Sequence, residues 1–465
     1  MFSGAVLKDR EMLRRIGNLA GPAVLEQALQ TAVQYADTAM VGQIGAAASA
    51  AVGLTMSCTW LVNGPLFAMG IGVLACIAQA LGAGDATRAR KAGAQGVFLV
   101  LFLGILMGVL TVALAPFIPY WLGAEAALAK DAGDYFAITC LPMVFRAGNI
   151  VFASALRGAG DSRRPMLINL AMNVCNVLLN YLLINPAHLL DVGFVALPLW
   201  GAGMGVRGAA VATALSHVLG GTLMARAYWR HPTLSPRQCG VRVDRALMRR
   251  IISIGLPVTG ERVAACLGQV VFTGLVSRLG TLALAAHSIA LTAEQAFYIP
   301  GYGMQAAAST LAGNALGEGN EKKLQDTSLT ITFIAAALMA LMGAALFSFP
   351  EALMGIFTGD REVMALGASV LRIVAVSEPL FAVAIIMEGV CNGIGDTRAS
   401  FMISAGTMWG VRIAGTLMCV YVFHGGLQAV WCCMVADNTC RCCLLLLRFL
   451  RGRWKRRLNI LAQQR

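Results

Sequence analysis

The sequence predicts an all-α integral membrane protein. About twelve transmembrane helices form two six-helix lobes related by a pseudo-twofold axis along the membrane normal. Three observations carry this prediction. Hydrophobic residues make up 58% of the 465 and charged residues only 13%, against about 25% charged in a soluble domain. The apolar runs are long and continuous, each near the roughly 20 residues a helix needs to cross a bilayer, not the short alternating segments of a barrel. The chain also repeats itself at a constant offset of 235 residues. Pro22 and Glu26 recur as Pro257 and Glu261, Val41 and Gly45 as Val276 and Gly280, and Pro65 and Met69 as Pro300 and Met304. Ala80-Leu81-Gly82 recurs as Ala315-Leu316-Gly317, and Gly158, Gly160 and Asp161 as Gly393, Gly395 and Asp396. Six spans per repeat is an even number, so both copies enter the membrane from the same side.

The spans follow in order. The first, near 16–38, opens after Lys8, Arg10, Arg14 and Arg15. The next, 50–76, carries Pro65 and stops at a Gly-Ala-Gly-Asp turn. Spans near 92–116 and 131–157 follow, the latter closed by Gly158-Ala159-Gly160-Asp161. Spans at 164–186 and 204–228 complete the first repeat. The second repeat places its six near 250–277, 283–310, 327–348, 363–391, 401–423 and 427–448. The expected organisation is a lobe at 1–228, a linker at 229–249, and a second lobe with a basic tail at 250–465. In the turns, glycine permits positive φ at a helix C-terminus, and Asp or Asn can cap the next helix.

Charge sets the expected orientation. The net +13 gathers on one side: Arg88, Arg90 and Lys91, Arg163 and Arg164, the linker arginines, Lys322 and Lys323, Arg398, and the tail with Arg451, Arg453, Lys455, Arg456 and Arg457. The opposite loops hold Glu125, Asp131, Asp134, Glu351, Asp360 and Glu362. By the positive-inside rule both termini are cytoplasmic, and the expected location is the plasma membrane, with the lipid bilayer as surroundings and a monomer as the working unit. The basic excess serves topology, so no nucleic-acid partner is expected. The 13 cysteines sit mostly in spans and read as apolar filling, with no metal site.

Polar residues are costly in hydrocarbon, so their placement reports function. Span 1 carries Glu26, Gln30, Gln34 and Asp37 at spacings of 4, 4 and 3, on one helical face. Span 5 carries Asn169, Asn173, Asn176 and Asn180 at spacings of 4, 3 and 4. For one asparagine, interhelical hydrogen bonding would suffice; two full stripes, one with two carboxylates, point to a water-filled cavity. The second repeat has Glu261 with Gln269 on span 7, Glu294 on span 8, and Glu378 and Glu388 on span 10. For each single glutamate a buried ion pair and a substrate contact stay equally open, with Arg262, Arg372 and Arg412 as candidate counter-charges. Pro22 interrupts span 1 upstream of Asp37, which allows a static kink or a hinge. No Walker motif, GxSxG or HExxH is present, so an ATP-driven pump or an intramembrane hydrolase has no machinery here.

These residues resemble the multidrug and toxic compound extrusion (MATE) family, bacterial branch, over roughly 15–450. Asp37-Thr-Ala-Met-Val-Gly-Gln-Ile-Gly is similar to its first-span signature. Ala285-Ala286-His287-Ser288-Ile289-Ala290-Leu291, with Pro300 and Leu316-Gly317-Glu318-Gly319, is similar to its span 7–8 signature. Arg157-Gly158-Ala159-Gly160-Asp161 and its copy at 393–398 resemble its turns. The resemblance implies proton- or sodium-driven antiport of small organic, often cationic, compounds by alternating access, without a cofactor. It implies ion coupling at Asp37, Asn176, Asn180 and Thr213, with Pro22 as a hinge. Asn180 stands where the family has a carboxylate, which makes the proton the expected coupling ion and sodium the alternative. Glu26, Gln30, Gln34, Asn173, Glu261, Gln269 and Glu294 are the expected substrate contacts. A flippase for lipid-linked oligosaccharides, from the same wider superfamily, is the alternative function; it would call for a larger basic cavity.

Overall fold

The computed structural model describes residues 10–122, 126–191, 196–238, 240 and 242–455. Lys8, Glu125, Arg456 and Arg457, which contribute to the charge pattern, lie outside them. In the first repeat the helices are α1 (Arg10–Gly42), α2 (Ala46–Gly82), α3 (Ala86–Leu114), α4 (Ile118–Trp121), α5 (Ala126–Cys140), α6 (Met143–Gly158), α7 (Arg163–Ile184) and α8 (Gly205–Trp229). In the second they are α9 (Arg245–Ser277), α10 (Thr281–Glu318), α11 (Glu321–Ser348), α12 (Pro350–Gly355), α13 (Arg361–Ala375), α14 (Glu378–Ile394), α15 (Thr397–Thr407), α16 (Ala414–Tyr421) and α17 (Leu427–Leu450).

Among the described residues, eight helices are individually long and apolar enough to cross a bilayer, and ten if each of two bent pairs is one span. α1 and α10 occupy the two remaining expected spans. They are long enough but too polar: α1 carries Glu26, Gln27, Gln30, Gln34 and Asp37, and α10 carries His287, Glu294, Gln295, Gln305 and Asn314.

Two expected spans are not single helices. The stretch 131–157 bends by 52° between α5 and α6, and 363–391 bends by 56° between α13 and α14. The breaks fall at Leu141–Pro142 and Val376–Ser377, again 235 residues apart. Proline explains both. Pro142 stops α5 because a residue before proline is driven out of helical conformation. Pro379 sits in the first turn of α14, where its missing N–H costs nothing. The stretch 401–423 contains a π-helical turn, Met408–Ile413, between α15 and α16. Between α7 and α8 lies an antiparallel two-stranded ribbon, β1 (Pro186–Asp191) and β2 (Ala196–Ala202), an addition to the all-helical expectation.

By contacts the chain divides into two compact units. One takes the chain up to Ala28, Leu74–Asp85 and everything from Arg250 onward; the other takes Leu29–Val73 and Ala86–Arg249. The dividing points fall inside α1, α2 and α9 and at the start of α3, whereas the repeat predicts halves at 1–228 and 250–465.

The four glycine-rich turns share one geometry. Their second glycines, Gly84, Gly160, Gly319 and Gly395, have φ of 75°, 85°, 77° and 80°. In each, the next residue's N–H reaches back five residues: Asp85 to Ala80, Asp161 to Leu156, Asn320 to Ala315 and Asp396 to Cys391, at 2.8–3.3 Å. This is the Schellman closure of a helix end. Asn320 and Asp161 then cap the following helix through Lys323 N–H and Arg164 N–H. Asp396 instead accepts from Arg448 on α17, at 2.7 and 2.8 Å.

Within the first unit, α2 and α10 cross through their glycines. A Cβ on Gly82 would collide with the Asn314 carbonyl, and one on Gly317 would collide with the Gln79 carbonyl. Both pairs are related by the 235-residue offset, so the contact is isologous, as at a twofold axis. Gln79 fixes the crossing further: its Nε2 donates to Gly393 O at 2.7 Å and its Oε1 accepts from Arg250 at 2.6 Å. Gly317→Val is expected to lower stability by about 1–3 kcal/mol or more, since backbone rather than a flexible side chain blocks the space. Thermal unfolding in detergent measures this; an unshifted midpoint would contradict the crossing.

After α8, His231 is buried and its Nδ1 lies 3.3 Å from Thr233 N and 3.0 Å from its hydroxyl. Burial holds its pKa below the ordinary 6.5, the Arg164 guanidinium adds to this, and Asp161 opposes it. The unfolded segment therefore binds more protons than the folded one. Stability from His231 is complete above about pH 6.5 and is lost as pH falls below it. Hydrogen exchange at residues 231–235, corrected for intrinsic rates, should be faster at pH 5 than at pH 7.5; equal corrected rates would refute the sign.

Candidate ion and substrate sites

In the second unit the structure brings together the four residues expected at the ion site. α7 presents Asn173, Asn176 and Asn180, all buried, on one face. α8 approaches α7 closely because Gly208 sits on the Leu183 carbonyl with no room for a Cβ, and this carries Thr213 to Asn176. The C-terminal half of α1 supplies Asp37. Asn180 Nδ2 donates to Asp37 Oδ1 at 2.7 Å and to Asn176 Oδ1 at 3.3 Å. Asn176 Nδ2 donates to Thr213 Oγ1 at 3.4 Å, and that hydroxyl donates to Ala209 O at 2.9 Å.

The Asn176 amide is the informative group. Its outer atom lies 2.9 and 3.0 Å from the two carboxylate oxygens of Asp37. With nitrogen there, the amide donates to a bare carboxylate. That orientation satisfies both carboxylate oxygens, whereas the opposite one would set two acceptors against each other. The buried Asn180 Oδ1 receives no hydrogen bond, so a further oxygen is available to an ion. A buried acceptor without a donor is costly.

The rest of the span-5 stripe divides. Asn169 accepts from Asn149 on α6 at 3.0 Å, which is helix-to-helix bonding and not a site. On α1, Gln30 and Gln34 are exposed while Glu26 is buried. α1 continues as a helix through Pro22. Just beyond it, the Ala23–Val24 backbone lies against Gly303 of α10, where a Cβ would approach Val24 Cα to 2.6 Å.

The first unit holds the second-repeat carboxylates. Glu261, Glu294, Glu378 and Glu388 are buried, and Gln269 is half-buried. Glu388 accepts from Gln305 at 2.9 Å and has Arg262 at 4.0 Å. Arg262 also lies 6.0 Å from the Tyr302 ring, which continues into an edge-to-face cluster with Tyr298 and Phe381. Glu261 Oε2 and both carboxylate oxygens of Glu378 receive no hydrogen bond. Carboxylates beside aromatic rings suit an organic cation. Of the candidate counter-charges, Arg262 approaches Glu388, while Arg372 pairs with exposed Glu351.

Arg412 pairs with a residue the sequence reading passed over. It binds Asp437 on α17 at 2.8 Å, and Arg441 binds the same carboxylate at 3.2 Å. Asn438 accepts from Arg412 at 3.2 Å. Asp437 in mid-span with Arg441 four residues on was a readable signal. The repeat offset makes the arrangement more informative. The positions matching Asp37, Asn176 and Asn180 are Phe272, Val411 and Gly415, and the Arg412 guanidinium lies 5.7 Å over the Phe272 ring. The oxygen cluster therefore has no counterpart in the second repeat, where a tethered cation occupies the neighbourhood.

Comparison with known proteins agrees with the repeat. The MatE family model matches residues 22–182 and 257–418, two segments whose starts are 235 residues apart. A "probable multidrug resistance protein NorM" of Thermotoga maritima is 29% identical over 455 residues, covering 98% of this chain and 96% of that protein. Another from Bradyrhizobium diazoefficiens is 28% identical, covering 93% and 91%. Among solved structures, a MOP superfamily transporter from Pyrococcus furiosus, described as having a binding pocket of reversed polarity, superposes with a TM-score of 0.86 at 22% identity and 99% coverage of both chains. An outward-facing multidrug resistance MATE transporter gives 0.85 at 23%, covering 97% and 96%.

Proposed function

The chain belongs to the MatE family, and on that premise we propose that it is a cation-coupled antiporter exporting small organic cations by alternating access. It is a multi-pass membrane transporter and not an enzyme. The observation that carries the coupling is the Asp37–Asn176–Asn180–Thr213 cluster, in which one carboxylate is ringed by amides, with Asn180 donating to it at 2.7 Å and the Asn176 amide beside both of its oxygens. A group that binds an ion in one state and releases it in the other links two fluxes by reciprocity. The proton is the favoured coupling ion, because Asp37 is the one formal charge in the cluster. The buried acids Glu261, Glu294 and Glu378, with the tyrosine-rich cluster beside them, are the cation-selecting contacts of the second repeat, and Glu26, Gln30, Gln34, Asn173 and Gln269 extend the polar path. Pro22 is the hinge of α1. Both termini are cytoplasmic in the inner membrane, and the monomer is the working unit.

Because Asp37, Asn176 and Asn180 have no equivalents in the second repeat, one repeat supplies the coupling ion site and the other a fixed internal charge. Reconstituted vesicles loaded with a fluorescent organic cation test the reading. Gradient-dependent movement of the dye supports it. Movement of a lipid-linked oligosaccharide without a gradient, with the dye left in place, would assign the chain to lipid flipping instead. Glu261→Gln is expected to weaken cationic-dye affinity roughly 5- to 10-fold, since a poorly screened buried carboxylate attracts a cation strongly; unchanged affinity would remove Glu261 from the site.

A further inference from the structure

We propose that Cys419 and Cys433 are an oxidation site whose disulfide staples α16 to α17. Their sulfurs are 3.5 Å apart, a hydrogen-bond contact between thiols, and both residues are half-buried. Cys433 Sγ also donates to Ala429 O at 3.4 Å. A Cβ on Gly415 would come within 3.2 Å of Cys433 Sγ, so the absent side chain at Gly415 makes room for the sulfur. Twelve free cysteines lie among the described residues, and in this pair the sulfurs make a mutual contact. A disulfide bond is about 2.05 Å long, so closure requires the sulfurs to approach by about 1.5 Å.

The site has a defined position. Cys419 lies seven residues beyond Arg412, and Cys433 four residues before Asp437, so the thiols share a helix–helix seam with that ion pair. On α17 the thiol lies near the end opposite the basic Arg448–Lys455 segment. By the positive-inside rule that is the outer side, the compartment in which disulfides persist. The oxidant class is a small-molecule or protein disulfide. One cysteine thiolate attacks it, forming a mixed disulfide and releasing one thiol. The second cysteine thiolate then displaces the other thiol, forming the Cys419–Cys433 bond. Two cysteine protons and two electrons leave the protein, and one external disulfide becomes two thiols.

The effect on transport rests on the proposed antiport. The crosslink holds α16 against α17 beside the π-helical turn at Met408–Ile413, and the oxidised protein should turn over more slowly. The experiment treats the full-length protein with 4,4′-dithiodipyridine, maps peptides by mass spectrometry, and measures dye efflux in vesicles before and after dithiothreitol. The expected result is a Cys419–Cys433 crosslinked peptide two hydrogens lighter than the free pair. Efflux should fall at least several-fold and recover on reduction. Cys419→Ser and Cys433→Ser should each remove both crosslink and oxidant sensitivity. Absence of that crosslink, or dominant crosslinks to Cys432 or Cys440, would overturn the site whatever the protein transports. A quantitative crosslink with unchanged efflux would overturn the staple's effect on turnover.

Discussion

Asp37→Asn yields a folded, membrane-inserted protein that no longer drives export from an imposed ion gradient. Asparagine has nearly the shape of aspartate, and its amide oxygen can still accept from Asn180 Nδ2, which lies 2.7 Å from Asp37 Oδ1. What disappears is the group that changes charge. Couplings between sites are typically about 1–3 kcal/mol, or roughly 5- to 150-fold in affinity, and the variant should lose all of it. Dye should still bind, because the proposed cation-selecting acids lie in the other repeat. Efflux should fall to that of protein-free vesicles while dye affinity stays within about twofold. Gradient-driven efflux at the native rate would remove Asp37 from the mechanism.

Asp437→Ala carries the largest expected effect on stability. The carboxylate is fully buried and is shared by Arg412 and Arg441. Removing it leaves two guanidinium groups in apolar surroundings with one counter-charge gone. Breaking a buried ion pair from one side typically costs about 3–5 kcal/mol, most of it from the charge left behind. The double variant Asp437→Ala with Arg412→Met should recover a large part of that loss, because it also removes the stranded charge. Unfolding midpoints in detergent for the single and double variants decide this. A single variant as stable as the native protein would show that water already solvates the seam.

Much of this architecture is legible in the sequence, because one physical constraint dominates membrane proteins. Backbone polar groups must be satisfied within each segment, so apolar runs bounded by glycine turns mark helices. The four turns with their positive-φ glycines were readable for that reason. The 235-residue offset made each repeat a check on the other, and the proline-induced breaks at Leu141–Pro142 and Val376–Ser377 obey it too. Hydropathy could not show those breaks, because a bend changes direction without changing composition. The assembly of Asp37 with Asn176, Asn180 and Thr213 came from the resemblance to a known family and from stripe spacing. The choice of partner for each buried charge was not legible. Arg412 could have served any of several glutamates, and its pairing with Asp437 depends on how α16 and α17 pack. The split of the asparagine stripe, with Asn169 bonding Asn149, is likewise a matter of which neighbour each helix face meets.

The most direct test of the central claim is dye efflux by purified protein in sodium-free vesicles with a pH gradient imposed. The cluster has one carboxylate and neutral amide and hydroxyl oxygens around it, so efflux should proceed on the proton gradient alone, with no stimulation by added sodium. Asp37→Asn should show none. If efflux is absent in sodium-free buffer and returns on adding a sodium gradient alone, the proton assignment is contradicted, and the Asn176, Asn180 and Thr213 oxygens belong to a sodium site.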